Sequence, residues 1–207
     1  MSHTQKKRLG ILLFEGFETL DVFGPVEMLG HLDETLELTT VAESAGPIAS
    51  HQGPRTYADS SLEECPKLDL LLIPGGKGTR RDVNNTRLID WLTTRATQAE
   101  LVMTVCTGTA LLARTKLLDG KRATTNKLAF EWVASQGPNV EWVKQARWVV
   151  DGKFNTSSGV SAGIDMALDV IRRLYDEATA QFIADVTEYE WHRDAEWDPF
   201  AKFAGLT

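Results

Sequence analysis

The sequence contains few cysteines, with only Cys65 and Cys106 among 207 residues. Two cysteines cannot form the disulfide framework of a small secreted domain, so we expect free thiols in a reducing compartment. The N-terminal residues are polar and lack the apolar core of a signal peptide, which predicts a cytoplasmic protein. No apolar run approaches the roughly 20 residues that a membrane helix requires, so we expect no membrane partner.

Basic residues are also in short supply. Lysine and arginine number 22 against 29 aspartates and glutamates, which gives a formal net charge of −7. A nucleic-acid-binding protein needs clustered Lys and Arg side chains to neutralise phosphates. The charge therefore argues against nucleic acid as the main partner, and a small-molecule substrate is expected instead. The length of 207 residues suits one domain with a sizeable core.

Apolar runs alternate with helical segments along most of the sequence. Strands are predicted at 8–14, 36–42, 48–57, 68–73, 101–106, 122–125, 140–150 and 153–158. Helices are predicted at 19–32, 82–98, directly after Cys106, and at 128–136, 161–175 and 177–189. Asp151-Gly152 is typical of a two-residue hairpin turn. This alternation predicts a single α/β domain, with a doubly wound, mostly parallel sheet sandwiched by helices.

An aromatic and acidic tail at 191–207 follows the α/β domain, which we assign to residues 1–190. The tail contains Trp191, Trp197, Phe200 and Phe203. Aromatic side chains bury large apolar areas, so a terminus this rich in them is expected to pack on its own domain or on a partner subunit.

The most informative segment is LVMTVCTGTALLA at 101–113. An apolar strand leads directly into Cys106, and a helix of small and apolar residues follows it. This arrangement is typical of a nucleophile elbow, in which a sharp turn presents the attacking atom. The free N–H groups and the dipole of the helix favour a thiolate there. The alternative is a buried structural cysteine, since free cysteines are among the most buried residues.

Asp21 is the first candidate partner of Cys106. It lies in the apolar segment LDVFGP at 20–25, where a carboxyl group would be desolvated. Beside a thiolate, such a group has a raised pKa and can donate a proton. The alternative role is a helix N-terminal cap, for which aspartate is well suited. Glu18 is a competing acid, although its position favours a solvated charge at the helix start.

Two further loops follow predicted strands at the edge where doubly wound proteins bind ligands. Gly75-Gly76 leaves backbone N–H groups unshielded, as an anion or oxyanion site requires. The alternative is an ordinary turn, because Pro-Gly-Gly sequences mark turns in many proteins. Ser157-Ser158-Gly159 forms a second strand-to-helix corner, which is expected to wall the pocket.

Five short motifs occur in a familiar order: LD followed by GP at 20–25, IPGG at 73–76, VCTG at 105–108, GKRATT at 120–125 and SAGID at 161–165. Together they closely resemble the ThiJ/PfpI superfamily, which has a class I glutamine amidotransferase-like fold. Within it, the chain looks most like the isocyanide hydratase branch. The resemblance implies a cysteine-dependent enzyme that adds water to an isocyanide to give an N-formamide, without a metal or an organic cofactor.

The resemblance also implies roles for individual residues. Cys106 is implied as the nucleophile and Asp21 as its carboxylic acid partner. Gly76 and Thr107 are implied as backbone N–H donors, with the Thr107 hydroxyl near the Asp21 carboxyl. The thiolate would attack the terminal carbon of the isocyanide, Asp21 would protonate the developing negative centre, and water would resolve the thioimidate. A homodimer is implied as well.

One position departs from the pattern of many relatives. Asn126 follows the Ala-Thr-Thr segment where those relatives have a histidine, and the four histidines lie elsewhere, at His3, His31, His51 and His192. A Cys-His-Glu triad needs a correctly placed base, so peptidase and glutamine amidotransferase activities are disfavoured. Two alternatives stay open: another cysteine chemistry, such as glyoxalase-type hydration or deglycation, and a non-enzymatic redox-sensing or ligand-sensing module.

Overall fold

The computed structural model of the protein describes residues 6–207, in which strands and helices alternate. The strands are β1 Lys7–Leu12, β2 Leu36–Ala42, β3 Gly46–Ala49, β4 Arg55–Ala58, β5 Ser60–Ser61, β6 Leu70–Ile73, β7 Leu101–Thr104, β8 Arg122–Ala123, β9 Glu141–Trp142, β10 Trp148–Asp151 and β11 Phe154–Ser157. The helices are α1 Thr19–Gly30, α2 Thr79–Asp82, α3 Thr86–Gln98, α4 Gly108–Arg114, α5 Phe130–Gln136, α6 Ala162–Leu174, α7 Glu177–Val186 and α8 Phe200–Phe203.

Seven of these strands form one sheet, in the order β10-β11-β7-β6-β1-β2-β5. Its neighbouring strands pair in parallel except β10 and β11, which form the antiparallel hairpin predicted around Asp151-Gly152. The helices form two groups, with α6 packed on α1 and α7, and α4 packed on α2, α3 and α5. The prediction of a mostly parallel sheet flanked by helices is confirmed.

Burial explains which apolar run forms the middle of the sheet. Leu70–Ile73 is buried throughout, as expected for a continuous apolar strand covered on both faces. Two glycines allow α6 to pack closely against its neighbours. A Cβ at Gly24 of α1 would lie 2.8 Å from the Ile164 side chain, and one at Gly163 would lie 2.9 Å from Val105. These glycines bring α6 against α1 and against the end of β7.

The chain changes direction across the sheet between β1 and β6. After β1 it adds β2 and β5 on one side, and it then returns to add β6, β7 and β11 on the other. The loops after β1 and β6 therefore diverge and leave a crevice at the carboxyl edge, where doubly wound folds bind ligands. The loops after β7 and β11 lie on the β6 side of this crevice.

Three predicted elements are divided in the structure. The predicted strand at 48–57 is the β3–β4 hairpin, because residues 50–54 form a tight turn in which Gly53 adopts φ +105°. The predicted helix at 82–98 is divided into α2 and α3, since the Asn85 side chain accepts the Leu88 N–H and starts a new helix. The predicted strand at 140–150 is interrupted between β9 and β10.

The C-terminal segment at 191–207 contacts the domain. Trp191 and Ala195 pack against the hydrophobic core. The carbonyl of Ala195 accepts the Arg147 N–H at 2.8 Å, which ties the segment to the chain just before β10. Phe200 and Phe203, on α8, are exposed.

Among residues 6–207, no helix is both long and apolar enough to cross a bilayer. The same residues contain no group of three His, Cys, Asp or Glu side chains placed to hold a metal ion. The cytoplasmic location expected from the sequence stays a prediction.

Candidate active site

Cys106 lies at the corner between β7 and α4. It adopts φ +56°, in the left-handed region that residues other than glycine rarely occupy. Its backbone N–H donates to Ser158 O at 3.0 Å, and its carbonyl accepts a hydrogen bond from Thr125 Oγ1 at 2.7 Å. Hydrogen bonds to two other segments therefore fix the strained conformation. A strand-to-helix corner with a positive φ is the geometry of a nucleophile elbow.

The side chain of Cys106 is nearly buried, since only 7% of the residue is exposed. Burial raises the pKa of its thiol, and the charge of Asp21 raises it further. The Thr107 N–H, the Val160 N–H and the Asn126 side chain lower this pKa by hydrogen bonding to the sulfur. Desolvation outweighs these donors. The resting site therefore favours a thiol, whereas the sequence led us to expect a thiolate.

Asp21 is fully buried in the first turn of α1. Its Oδ2 accepts the Gly75 N–H at 2.8 Å, and its Oδ1 has no hydrogen-bond partner within residues 6–207. Burial raises the pKa of Asp21 to about 8, although the Gly75 N–H lowers it; the charge of Glu18 raises it and the Cys106 thiol lowers it. The acid and the thiol thus lie close enough to perturb each other's pKa.

Glu18 occupies a different position from Asp21. It is half-buried at the N-cap of α1, and its carboxylate accepts a hydrogen bond from Gln52 Nε2. The charge of Glu18 raises the pKa of Asp21, but Glu18 is not among the groups that shift the pKa of Cys106. Because α1 begins at Thr19, Asp21 is not the N-terminal cap that the alternative interpretation required.

The two glycines after β6 pack tightly against Asp21 and Thr107. A Cβ at Gly75 would lie 2.7 Å from Thr107 Oγ1 and 2.8 Å from Asp21 Oδ2, so these two oxygens lie near each other. The Gly75 N–H is bound to Asp21, and the Gly76 N–H donates to Thr107 Oγ1 at 3.0 Å. The sequence had led us to expect free N–H groups for an oxyanion at these glycines, but both N–H groups are already hydrogen-bonded. The glycines instead hold the acid and Thr107 in place.

Two groups near the sulfur were missed by the sequence analysis. The Val160 N–H reaches it from the corner between β11 and α6, where Val160 adopts φ +43°. A β-branched residue gives no sequence signal for this conformation. Arg80, on α2, is a cation whose charge interacts with Cys106, and its guanidinium lies 3.3 Å from the centre of the Trp132 ring. No spacing rule would have identified Arg80.

Asn126 faces the sulfur from the segment after β8. Its Oδ1 accepts the Ala129 N–H at 3.0 Å, which leaves the side-chain NH₂ to hydrogen-bond to Cys106. Within residues 6–207, no histidine is among the groups that shift the pKa of this thiol. An amide donates hydrogen bonds but cannot take up the thiol proton as an imidazole does. This arrangement argues against a histidine-dependent triad.

The sequence matches known proteins over most of its length. Residues 7–173 match the DJ-1/PfpI family. The isonitrile hydratase of Pseudomonas putida is 34% identical over 182 residues, which cover 88% of this chain and 78% of that protein. The HTH-type transcriptional regulator CdhR of Pseudomonas aeruginosa is 29% identical over 84% of this chain, but the match covers only 52% of the regulator. This chain thus spans about half the length of that regulator.

The fold also matches a solved structure. A ThiJ/PfpI family protein from Pseudomonas syringae superposes with a TM-score of 0.84 at 27% identity, and the match covers 91% of this chain and 77% of that one. The motifs around Asp21, Gly75 and Cys106, the doubly wound sheet and the sequence match all indicate the same relationship. The chain belongs to the DJ-1/PfpI family, also called ThiJ/PfpI.

Proposed function

We propose that this protein is a cysteine-dependent hydratase that adds water to an isocyanide, or isonitrile, and releases an N-formamide. The observation that carries the proposal is the pairing of Cys106 with Asp21, two buried groups that perturb each other's pKa. An isocyanide suits this pair because its terminal carbon first accepts a nucleophile and then needs a proton. The 34% identity to an isonitrile hydratase supports this substrate class.

The first step transfers the thiol proton to the isocyanide carbon by way of Asp21. The Asp21 carboxylate takes the proton as the Cys106 sulfur attacks the terminal carbon. The S–C bond forms, the carbon–nitrogen triple bond becomes a double bond, and Asp21 delivers the proton to the same carbon. The product is a thioimidate. A pKa of about 8 suits Asp21 for both roles, because it lies closer to that of a thiol than an ordinary carboxyl pKa does.

Water resolves the thioimidate in the second step. Its oxygen adds to the thioimidate carbon, the S–C bond breaks, and the sulfur leaves. One water proton ends on the nitrogen of the N-formamide and the other restores the thiol. The Thr107 N–H, the Val160 N–H and the Asn126 side chain stabilise the departing sulfur. The reaction uses no metal and no organic cofactor, since thiol, carboxyl and water supply every atom and proton.

Ligand sensing without turnover is a second candidate, favoured by the match to a transcriptional regulator. Redox sensing is less well supported, because sensor cysteines combine a low pKa with exposure. Burial instead raises the pKa of Cys106. Glyoxalase-type hydration or deglycation would use the same thiol on a carbonyl compound and must be separated by experiment.

Conversion of phenyl isocyanide to N-phenylformamide by the purified protein tests the proposal. We expect Cys106→Ala to abolish turnover. Cys65→Ala removes the other free cysteine and, as the matched control, should retain turnover. Methylglyoxal is assayed in parallel. Undiminished turnover by Cys106→Ala, or a higher kcat/KM for methylglyoxal, would contradict the proposal. Binding of phenyl isocyanide without turnover would favour ligand sensing.

We also propose that the protein is a homodimer, as the resemblance to its family implies. The exposed apolar side chains include Phe182 and Val186 on α7, which a second subunit would cover. Sedimentation equilibrium at micromolar concentration tests this proposal. A single monomeric species would contradict it.

A further inference from the structure

A cavity of about 230 Å³ lies between the active site and the C-terminal segment. We call it the tail cavity. The tail cavity shares two walls with the active site, since Asn126 and Val160 line it and also hydrogen-bond to the Cys106 sulfur. Its outer wall contains the apolar side chains of Leu128, Phe200 and Phe203.

We propose that the tail cavity binds the apolar substituent of the substrate while the reactive carbon meets Cys106. This inference rests on the proposed function, because it identifies the part of the isocyanide that the protein recognises. It gives the C-terminal segment a role in selecting substrates with a ring-sized apolar group. Phe200 and Phe203 are then specificity-determining residues.

The size and lining of the tail cavity fit such a group. An engineered apolar cavity of about 150 Å³ binds benzene, so a cavity of about 230 Å³ accommodates a phenyl or cyclohexyl ring. Leu128, Phe200 and Phe203 are 75%, 53% and 74% exposed. Exposed apolar side chains grouped around one cavity are typical of a ligand groove. A bound ring would cover them.

The outer wall of the tail cavity is anchored to the domain. Asp198 is buried, and its Oδ1 accepts the Phe200 N–H at 3.0 Å. Burial lowers the pKa of Lys127 to about 8, and the nearby Asp198 carboxylate partly offsets this shift. Ala201, on α8, is also fully buried. The outer wall therefore packs on the domain at Asp198 and Ala201, and a wall held in this way can select substrates by shape.

The ratio of kcat/KM for phenyl isocyanide to that for methyl isocyanide tests the inference. We expect the ratio to fall at least about 10-fold in the double variant Phe200→Ala/Phe203→Ala, because loss of apolar contacts changes discrimination by about that factor or more. The value for methyl isocyanide should stay close to that of the wild type. Tyr57→Ala is the matched control, since Tyr57 is 67% exposed on β4 and does not line the tail cavity.

A second measurement does not depend on isocyanide turnover. Iodoacetamide and N-benzyliodoacetamide both alkylate a thiol by displacing iodide, and they differ by one benzyl group. Peptide mass analysis gives their relative rates at Cys106. We expect the wild type to favour the benzyl reagent and the double variant to lose that preference. If the wild type shows this preference without isocyanide turnover, the proposed function fails and the inference about the tail cavity is supported.

Two results would overturn the inference. One is a folded double variant that retains both the wild-type substrate ratio and the wild-type alkylation preference. The other is a double variant that dissociates a dimer in sedimentation while both ratios stay unchanged. That second outcome would make the face around Phe200 and Phe203 an interface between two copies of the chain.

Discussion

Asp21 Oδ2 lies 2.8 Å from the backbone nitrogen of Gly75, and this hydrogen bond joins the first turn of α1 to the loop after β6. The bond occupies one carboxyl oxygen and leaves Oδ1 without a partner within the described residues. A proton on Asp21 is therefore best accommodated on Oδ1. Because burial raises the pKa of Asp21 to about 8, the carboxyl carries this proton at neutral pH.

The pH dependence of turnover should report the Asp21–Cys106 pair. The reactive pair carries one proton, whereas both groups are protonated below the pKa of Asp21 at about 8. We therefore expect kcat/KM for an isocyanide to rise with pH through about 8 and to be lost as pH falls. Asp21→Asn should remove this rise and lower kcat/KM by about 10²–10⁴-fold. An unchanged pH profile in Asp21→Asn would exclude Asp21 as the proton carrier.

The same carboxyl should make stability depend on pH. The folded pKa of Asp21, about 8, lies above the ordinary value of 3.8, so the unfolded chain releases this proton at lower pH than the folded one. Its contribution to the free energy of unfolding is complete below pH 3.8 and declines as pH rises to 8. The free energy of unfolding of Asp21→Asn, relative to that of the wild type, should therefore increase by at least about 1 kcal/mol between pH 5 and pH 8. This corresponds to about 2–4 °C in Tm. Equal changes of Tm with pH in the wild type and in Asp21→Asn would contradict this prediction.

Gly75→Ala tests whether the close packing around the acid matters. The new Cβ would lie 2.5 Å from Thr107 N and 2.8 Å from Asp21 Oδ2, so one of these groups must shift. We expect a loss of stability of about 1–3 kcal/mol and a larger loss of turnover. Gly30→Ala, in α1, is the control because no atom lies within 4 Å of its new Cβ. That variant should be neutral or stabilised by up to about 1 kcal/mol.

Removal of one partner from the buried ion pair between Arg147 and Asp165 is expected to destabilise the protein strongly. Both residues are buried, and Arg147 Nε donates to Asp165 Oδ2 at 2.7 Å. Asp165→Asn leaves a buried guanidinium without a counter-ion, which should cost about 3–5 kcal/mol in urea unfolding. Glu100→Gln breaks the exposed pair with Lys7 and should cost about 1 kcal/mol or less. Similar losses in the two variants would contradict the assigned role.

The positive φ of Cys106 predicts an order of stability between two inactive variants. At φ +56°, a Cβ is strained and glycine is not. Cys106→Gly should therefore be more stable than Cys106→Ala by about 1 kcal/mol, as measured by thermal or urea unfolding. Equal stability would mean that the corner carries no strain at this residue.

The sequence predicted the middle of the fold better than its connections. The apolar run at 70–73 and the Asp151-Gly152 turn each have one physical solution, a buried parallel strand and a tight hairpin. The segments at 48–57 and 82–98 were predicted as continuous because their periodicity extends across a local break. In each case a turn or a cap, such as the Asn85 side chain that accepts the Leu88 N–H, outweighs the hydrophobic pattern.

The candidate site was predictable where the chain itself carries the signal. A cysteine at a strand-to-helix corner and an aspartate in an apolar segment are visible in the sequence, and the structure places them side by side. The donor from Val160 and the charge of Arg80 depend on how separate loops meet, which no local pattern records. The protonation of Cys106 also depends on burial. We expected the helix end to favour a thiolate, but desolvation has the larger effect on the pKa of the thiol.

Asp21 follows β1 and Cys106 follows β7, while β6 lies between these strands in the sheet. The acid and the thiol therefore meet only after segments far apart in the chain have docked. In a partly folded molecule, Cys106 is a solvated thiol with an ordinary pKa of about 8.5. A brief pulse of alkylating reagent during refolding would then label Cys106 faster in incomplete molecules than in native ones. The reactive cysteine would thereby report what fraction of the population has completed its assembly.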